Sequence, residues 1–326
     1  MTITAPSKAP ATLDTVIESA EKVADEVLSL ELRKVDGTDF PAWEPGAHID
    51  VHLGDDLIRQ YSVCSTPDDL SVLKIGVLRT PDSRGGSAYV HEHLTPGTAL
   101  TISAPRNNFP LLKSRKYLFI AGGVGITPMI PMLEQAEAEG KEWVLHYGGR
   151  SRTSMAFADE LLAKYGPEKI LLYANDEDNG LDLNAVLALP RAHMLVYACG
   201  PGGMLTAIEE LCMGWPPGVL HTERFVAAEL GAASSSEPFE VELAQTGGSV
   251  KVQPNQSIVD AVEEAGARVL SSCRAGLCGT CETRIISGEP EHRDAVLTQE
   301  DKDAGEVMLV CVSRAAAGCS RLVLDL

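Results

Sequence analysis

The pattern of hydrophobic and polar positions changes twice along the chain. Between about residues 10 and 110, short β-type runs such as VLSLELRKV, AHIDVHL, IRQYSV and LKIGVLRT are separated by Gly, Pro and Asp turns. No long amphipathic helix interrupts these runs. Several short strands with regular turn signals are typical of small all-β domains. We therefore predict an antiparallel β-barrel within residues 1–112.

From Lys116 onwards, apolar strands alternate with helical stretches. The runs KYLFIAGG, WVLHYGGR, KILLYAND and HMLVYACG have the pattern of buried strands. The runs TPMIPMLEQAEAEG, MAFADELLAKYG, DLNAVLAL and GMLTAIEELCMG between and after them have the pattern of helices. This alternation predicts a parallel α/β sheet, which we assign to residues 113–227.

After Phe225 the segment VAAELGAASSSEP is small and polar, which predicts an interdomain linker at residues 228–237. PFEVELAQTGGSVKVQP then predicts a hairpin, and SIVDAVEEAG a helix with Ser257 as its N-cap. A third domain is thus expected over residues 238–326. The opening residues MTITAPSKAPATLDT lack the order of a secretory signal, so we expect a disordered lead-in there.

Composition excludes several classes of function. The chain has 326 residues, 44% of them hydrophobic, which suits two or three soluble domains. It contains no run of about 18 apolar residues, so no membrane span is expected. The formal net charge of −19 argues against nucleic acid, whose phosphates would be repelled. The acidity would suit an electron-transfer partner with a basic docking face, although a role in solubility explains it equally well.

Four of the eight cysteines follow a regular spacing. Cys273, Cys278 and Cys281 form C-x4-C-x2-C in SSCRAGLCGTC, and Cys311 follows in MLVCVSRA. This is the plant-type ferredoxin arrangement, in which four thiolates hold a [2Fe–2S] cluster. A zinc site would be expected to use two C-x2-C pairs or histidines, and this region offers one pair and His292. The remaining cysteines are scattered singly, as expected in a reducing cytosol: Cys64, Cys199, Cys212 and Cys319.

Two glycine-rich turns follow strands of the predicted α/β sheet. AGGVGITPM (residues 121–129) leads into a helix, and YACGPGGM (residues 197–204) closes a later strand. Glycines there let a pyrophosphate approach the helix N-terminus. The first turn is not a strict G-x-G-x-x-G, so on its own it is a weak signal. Two such turns at strand ends of one sheet are typical of a ligand site in a doubly wound fold.

The barrel region has two candidate phosphate contacts. Arg59 could offer a bidentate fork to a phosphate, and Tyr61 an aromatic face to a flat ring. Taken alone, RQYS is better explained as an ordinary strand with an exposed arginine. The run DSRGGSAYVHEHL places Gly85, Gly86 and Ser87 before a helix, which makes it a second candidate cradle.

The order of these motifs resembles the phthalate dioxygenase reductase family, within the ferredoxin–NADP reductase-like flavoproteins. R-x-Y-S, GGS, GGVGITP, CGP and the cysteine spacing occur in the family's domain order. Further matches are PRNNFPL (residues 105–111), HTERF (221–225), GEPEHRDAVL (288–297) and the terminal LVLDL. The resemblance implies an antiparallel β-barrel flavin domain, an α/β parallel-sheet nucleotide domain and a C-terminal β-grasp ferredoxin domain.

The resemblance also implies flavin-contacting residues. Arg59 would lie near the phosphate and Tyr61 against the isoalloxazine, while Phe225 would cover the ring from the end of the α/β domain. The other positions matched to the flavin site are Gln60, Ser62, Val77, Arg79, Gly86 and Ser87. The branch with a C-terminal ferredoxin usually carries FMN rather than FAD, so FMN is expected.

Residues of the nucleotide site follow in the same way. Those matched to the pyridine-nucleotide turn are Gly122, Gly123, Thr127 and Pro128, and those beside the nicotinamide are Cys199, Gly200 and Pro201. Ser62 and Cys199 are assigned as catalytic residues, although Cys199 could instead be a plain core cysteine.

The choice between NADH and NADPH can be predicted from the residues at the end of one strand. KILLYANDEDNG ends in Asp176, Glu177 and Asp178, and a carboxylate there suits the ribose diol of NADH. Arg150 and Arg152, after the preceding strand, keep NADPH open.

The implied function is electron transfer from NADH through FMN and a [2Fe–2S] cluster to a partner. A flavin converts a two-electron hydride into single electrons. In this family the acceptor is a Rieske-type oxygenase or demethylase, or a cytochrome P450, typically in aromatic catabolism. We expect a cytoplasmic monomer. One alternative is a ferredoxin-like carrier that does not oxidise NADH. Another is a flavin reductase that releases reduced flavin, which would leave the cluster without a purpose.

Overall fold

The computed structural model describes residues 11–54, 57–81, 85–177, 179–188, 192–225 and 237–326. It forms two compact units, one from Ala11 to Phe225 and a C-terminal one whose described residues are 237–326. The predicted linker lies outside the described residues except for Glu237, as do Asp178 and the first ten residues of the predicted lead-in. No helix in the described part of the chain is long and apolar enough to cross a membrane.

The first sheet of the larger unit is antiparallel and has seven strands. They are β1 Thr12–Ala24, β2 Val27–Lys34, β3 Ala47–His52, β4 Ile58–Ser62, β5 Leu73–Leu78, β6 Ala99–Ser103 and β7 Arg106–Asn107, with helix α1 Gly86–His93 before β6. The order is β4-β3-β6-β1-β2-β5, and β7 pairs with β3. A bridge between Val63 and Ile75 joins the two ends, as the predicted barrel requires.

Two local predictions in this region are wrong. The expected lead-in included Thr12 to Thr15, but these residues pair with β6, and the Thr15 hydroxyl donates to the Leu100 carbonyl at 2.6 Å. Alternating side chains bury one face of β1, which is enough to order it. Gly86 and Ser87 were placed before a helix, whereas they form its first turn.

The second sheet is parallel throughout. Its strands are β8 Lys116–Gly122, β9 Glu142–Gly149, β10 Ile170–Ala174, β11 Met194–Cys199 and β12 Leu220–Glu223, and its helices are α2 Met129–Ala138, α3 Ala158–Tyr165, α4 Leu183–Val186 and α5 Gly202–Leu211. Short 3₁₀ turns lie at Gly123–Ile126, Arg152–Ser154 and Asn175–Glu177. The strand order is β10-β9-β8-β11-β12. The chain adds β9 and β10 on one side of β8 and then returns to add β11 and β12 on the other side, so the order of addition reverses between β8 and β11, at what we call the reversal point. Ligands of doubly wound sheets bind at that reversal.

The two sheets of this unit are joined through Tyr197 of β11. Its side chain is fully buried, and its hydroxyl donates to the Pro110 carbonyl at 3.0 Å and accepts from the Leu112 N–H at 2.7 Å. Phe109 packs edge-on against the Tyr197 ring. The segment that leaves the barrel is therefore fixed to the middle of the parallel sheet, which sets the barrel beside the reversal point.

The C-terminal unit is a mixed sheet with a helix packed on it. Its elements are β13 Phe239–Leu243, β14 Ser249–Val252, α6 Ile258–Glu264, β15 Glu282–Ser287, β16 Pro290–Glu291, α7 Gln299–Ala304, β17 Val307–Leu309, β18 Arg314–Ala315 and β19 Arg321–Leu324. The larger sheet has the order β14-β13-β19-β15-β17, with β13 parallel to β19, which is a β-grasp arrangement. The predicted hairpin is confirmed as β13–β14. The predicted cap is also confirmed, since Ser257 Oγ accepts from the Asp260 N–H at 3.0 Å.

Candidate active site and cysteine loop

Arg59 of β4 lies against the N-terminus of α1. A Cβ on Gly86 would fall 2.5 Å from Cγ and Nε of Arg59, so only glycine lets the arginine side chain pass there. Ser87 Oγ accepts from the Thr80 N–H at 3.1 Å, which ties the helix to the end of β5. A guanidinium beside a helix N-terminus fits the phosphate of a flavin nucleotide.

The end of β5 meets the turn that follows β8. A Cβ on Gly76 would fall 2.8 Å from Cγ2 of Thr127, so Thr127 lies beside the residue that precedes Val77. Tyr61 is half-buried on the neighbouring β4, and burial raises its pKa to about 12. Arg79 is ion-paired to Glu92 at 2.7 Å. Barrel and parallel sheet thus bring predicted flavin and nucleotide residues to one place.

The two predicted glycine turns pack directly on each other. A Cβ on Gly125 would fall 2.3 Å from the Cys199 carbonyl oxygen, and one on Gly122 would fall 2.6 Å from Cδ of Pro201. Gly200 is equally constrained, because its Cβ would lie 3.0 Å from Cα of Gly122. Backbone without side chains therefore lines the reversal point, where a nucleotide can approach closely.

Glu223 is the residue of this site that the sequence analysis missed. It ends β12 in register with Cys199, and its carboxyl accepts a hydrogen bond from the Ser62 hydroxyl of the barrel. Burial raises the pKa of Glu223 to about 8, even though the bond from Ser62 lowers it. Among the described residues, Oε2 of Glu223 has no hydrogen-bond partner. The available signal was an acidic residue at the end of a parallel strand, within the quoted HTERF motif.

Cys199 and Phe225 flank Glu223. Cys199 is fully buried, and burial together with the nearby Glu223 raises the pKa of its thiol, which therefore stays protonated at neutral pH. Such a thiol can pack against a ligand, but it is a poor nucleophile. Phe225 remains 36% exposed at the end of the unit.

The residues weighed for nucleotide choice lie at neighbouring strand ends. The Asp176 N–H donates to the Arg150 carbonyl at 3.2 Å, which places the β9 and β10 ends side by side. The guanidinium of Arg152 is ion-paired to Asp159 of α3. One of the two arginines that could bind a 2′-phosphate therefore already has a carboxylate partner.

In the C-terminal unit, the four spaced cysteines form two pairs. The side chains of Cys273 and Cys278 are hydrogen-bonded to each other, and so are those of Cys281 and Cys311. The N–H groups of Ala275 and Leu277 each lie 3.4 Å from Sγ of Cys273. Positive φ angles at Arg274, Gly276 and Gly279 let the loop curl around the sulfurs.

This arrangement suits a binuclear cluster. Within the described ranges, no three His, Cys, Asp or Glu side chains converge as a single metal ion would require. Two thiol pairs, each able to bind one iron, together with backbone N–H groups aimed at sulfur, match the needs of a [2Fe–2S] cluster. The loop is also anchored to α6, because Arg274 bonds Asp260 at 3.0 Å and Glu263 at 2.6 Å.

Comparison with known proteins agrees with this picture. Residues 241–316 match the 2Fe-2S iron-sulfur cluster binding domain, and residues 119–210 match the oxidoreductase NAD-binding domain. The chain is 39% identical over 319 residues to vanillate O-demethylase oxidoreductase of Pseudomonas putida, covering 96% of this chain and 100% of that one.

Two solved structures are similar over nearly the whole chain. Phthalate dioxygenase reductase is 36% identical with a TM-score of 0.71, covering 97% of this chain and 98% of its own. An intact type IV self-sufficient cytochrome P450 monooxygenase is 39% identical with a TM-score of 0.88. The match covers 97% of this chain but 41% of that longer one.

The chain belongs to the phthalate dioxygenase reductase family. It has that family's flavin-binding barrel domain, NAD-binding α/β domain and C-terminal ferredoxin domain, so the predicted fold class is confirmed. It is an NAD(P)H-dependent flavin and iron–sulfur oxidoreductase with FMN, NADH and a [2Fe–2S] cluster as cofactors, as predicted. The alternative of a carrier without NADH oxidation is therefore wrong.

Proposed function

We propose that this protein is the reductase component of an oxygenase system, and that it passes electrons from NADH through FMN and its [2Fe–2S] cluster to a separate terminal oxygenase. The observation that carries the proposal is the meeting of Ser62, Cys199 and Glu223 at the reversal point of the sheet, in a chain that also holds the four-cysteine loop. The acceptor is a Rieske-type dioxygenase or demethylase, or a cytochrome P450, which is the kind of system that the relatives are named for.

The barrel would hold FMN by both ends. Arg59 and the first turn of α1, Gly86 and Ser87, would bind the phosphate, because a guanidinium lies there beside the positive end of a helix. Tyr61 would support the ring, with Phe225 covering the opposite face. The remaining ring contacts in this proposal are Gln60, Ser62, Val77 and Arg79.

NADH would bind across the two packed glycine turns. The proposed contacts are Gly122, Gly123, Thr127 and Pro128 for the diphosphate side and Cys199, Gly200 and Pro201 for the nicotinamide. Asp176 would accept hydrogen bonds from the adenosine ribose, while Asp159 keeps Arg152 from attracting a 2′-phosphate.

The chain's own residues orient the reactants and hold a proton. When bound, FMN accepts a hydride and releases its electrons singly. Glu223 keeps a proton on its carboxyl below about pH 8, and Ser62 is held by that carboxyl beside β5. The thiol of Cys199, which stays protonated at neutral pH, would pack beside the nicotinamide. Hydride transfer leaves one proton to be released for every two electrons passed on, and the Ser62–Glu223 pair is the titratable group at that point.

The cluster would be held by the two thiol pairs. Cys273 and Cys278 would bind one iron, and Cys281 and Cys311 the other, since each pair already lies within hydrogen-bond distance. We also propose that the protein is a cytoplasmic monomer, in keeping with eight cysteines, all within the described residues, that form no disulfide. The domain boundaries proposed are residues 1–112, 113–227 and 238–326, with the linker at 228–237.

Reconstitution with a purified terminal oxygenase tests the proposal. The protein, NADH and a candidate Rieske oxygenase are mixed without oxygen, and reduction of the oxygenase centre is followed by its absorbance. We expect reduction that depends on both NADH and this protein. Oxidation of NADH with no reduction of any Rieske or P450 partner encoded near the gene would contradict the proposed acceptor.

A further inference from the structure

The segment His292–Ala295, within the motif GEPEHRDAVL, joins the two halves of the cysteine site. The Ala295 N–H donates to the Gly276 carbonyl at 3.0 Å, inside the loop of the first three cysteines. The Arg293 N–H donates to Ser313 Oγ at 3.2 Å, two residues after Cys311. Four consecutive residues therefore fix the loop against the segment that carries the fourth cysteine; we refer to residues 292–295 as the strap.

The strap packs closely against the loop at Gly276. Gly276 has a φ of +70°, and a Cβ there would fall 2.7 Å from Cγ2 of Val312 and 3.2 Å from Cα of Asp294. Gly276 is thus enclosed between the strap and the residue that follows Cys311. A displacement of the strap would be transmitted to both thiol pairs, because close-packed groups cannot move independently.

Asp294 holds the strap in shape. Its side chain is fully buried, and its Oδ2 accepts from the N–H groups of Val296 and Leu297 at 3.1 and 2.8 Å. Its Oδ1 has no hydrogen-bond partner among the described residues. The carboxylate therefore fixes a turn with one oxygen and leaves the other without a donor in a water-excluded place.

The charge of Asp294 is only partly compensated. Nζ of Lys302 lies 3.9 Å from Oδ2 and donates to the Asp294 carbonyl at 2.9 Å. Nδ1 of His292 lies 3.9 Å from Oδ1, and burial lowers the pKa of this histidine, which favours its neutral form.

We propose that Asp294 is a positioning residue of the iron–sulfur cluster that also lowers its reduction potential. The turn that it fixes clamps both cysteine segments, and its buried charge opposes the electron that reduction adds. A cluster with a lower potential donates its electron more readily to the acceptor. This inference rests on the proposed assignment of the four cysteines to the cluster.

Asp294→Asn separates charge from shape, because the amide oxygen can still accept both N–H bonds. The matched control is Asp303→Asn on the exposed face of α7, which removes the same charge and whose amide oxygen can still accept the hydrogen bond from Gln299. Redox titration of the cluster's absorbance and EPR signal is the measurement. We expect the potential of Asp294→Asn to rise by about 59 mV, a tenfold change in a one-electron equilibrium. Asp303→Asn should stay at the parent value.

Lys302→Gln should shift the reduction potential of the cluster in the opposite direction. Removing the cation should make the potential more negative. If Asp294→Asn binds no cluster, the potential of Lys302→Gln alone tests the electrostatic effect. If both variants have the same reduction potential as the parent, the proposal that the charge of Asp294 lowers the potential is wrong.

Asp294→Ala tests positioning. It loses both N–H bonds, so its cluster should bleach earlier on heating than that of the parent, while Asp294→Asn should resemble the parent. Equal bleaching in parent and Asp294→Ala would overturn the positioning part. A parent that binds no [2Fe–2S] cluster would instead refute the cysteine assignment.

Discussion

Ser62 and Glu223 come from different sheets, yet the Ser62 hydroxyl donates a hydrogen bond to the buried Glu223 carboxyl. Ser62 ends β4 of the barrel, and Glu223 ends β12 of the parallel sheet. The bond therefore joins the strand proposed to carry the flavin to the sheet proposed to carry the nucleotide. It also places a titratable group with a pKa of about 8 where hydride transfer would occur.

Glu223→Gln should remove a pH dependence of stability. The pKa of Glu223 is raised from 4.5 to about 8 in the folded chain. The stability that its protonated carboxyl contributes is therefore fully present below about pH 4.5 and is lost as the pH rises through 8. At about 1.4 kcal/mol per pKa unit, the loss has an upper limit of roughly 5 kcal/mol. Urea unfolding at pH 5 and pH 8.5 measures it.

The control for this experiment is Glu210→Gln on the exposed face of α5. We expect a smaller stability difference between the two pH values in Glu223→Gln than in the parent and in the control. A difference of the same size in all three proteins would mean that Glu223 titrates normally.

Arg59→Ala should weaken FMN binding and leave the cluster intact. Hydrogen bonds between charged groups contribute about 1.5–3 kcal/mol, so loss of one should raise the Kd for FMN tenfold or more. Quenching of FMN fluorescence on titration with flavin-free protein gives the Kd. Arg33→Ala, which removes an exposed arginine of the same sheet, is the control and should bind FMN as the parent does. An unchanged Kd in Arg59→Ala would remove Arg59 from the site.

The cysteine spacing and the glycine turns could be read from sequence, because each is a local pattern whose chemistry depends on its own spacing. Glu223 could not, because its importance arises from a strand more than a hundred residues earlier that lies beside it. The start of β1 was missed for a similar reason. Thr12 to Thr15 have no strong strand pattern, and they are ordered by pairing with β6.

Cys278→Ala should abolish the cluster and spare the flavin. We expect loss of the cluster's EPR signal and of NADH-dependent cytochrome c reduction, with ferricyanide reduction retained because ferricyanide can accept electrons from the flavin. Cys319→Ala changes a cysteine of the same unit that lies outside the four-cysteine spacing, and it should keep the EPR signal and both reduction activities. A parallel fall of ferricyanide reduction and cluster signal would show that the electron path is not sequential.

Asp176→Ser should narrow the preference for NADH over NADPH. The variant loses hydrogen bonds to the ribose, so kcat/KM for NADH should fall. It also loses the charge that repels a 2′-phosphate, so kcat/KM for NADPH should rise. The ratio of kcat/KM for NADH over NADPH is the measurement, and we expect a fall of tenfold or more.

Asp159→Asn frees Arg152 and serves as the comparison. A ratio that responds to this change but not to Asp176→Ser would assign nucleotide choice to the arginine. A parent that prefers NADPH would contradict the role proposed for Asp176 directly.

Rapid mixing with NADH in the absence of oxygen tests the electron path most directly. Flavin and cluster have separable absorbance bands, so the order in which they are reduced can be followed in one experiment. The account predicts that the flavin is reduced first and that the cluster follows at the expense of the reduced flavin. A cluster that stays oxidised after the flavin has been fully reduced, or that is reduced before it, would contradict the account.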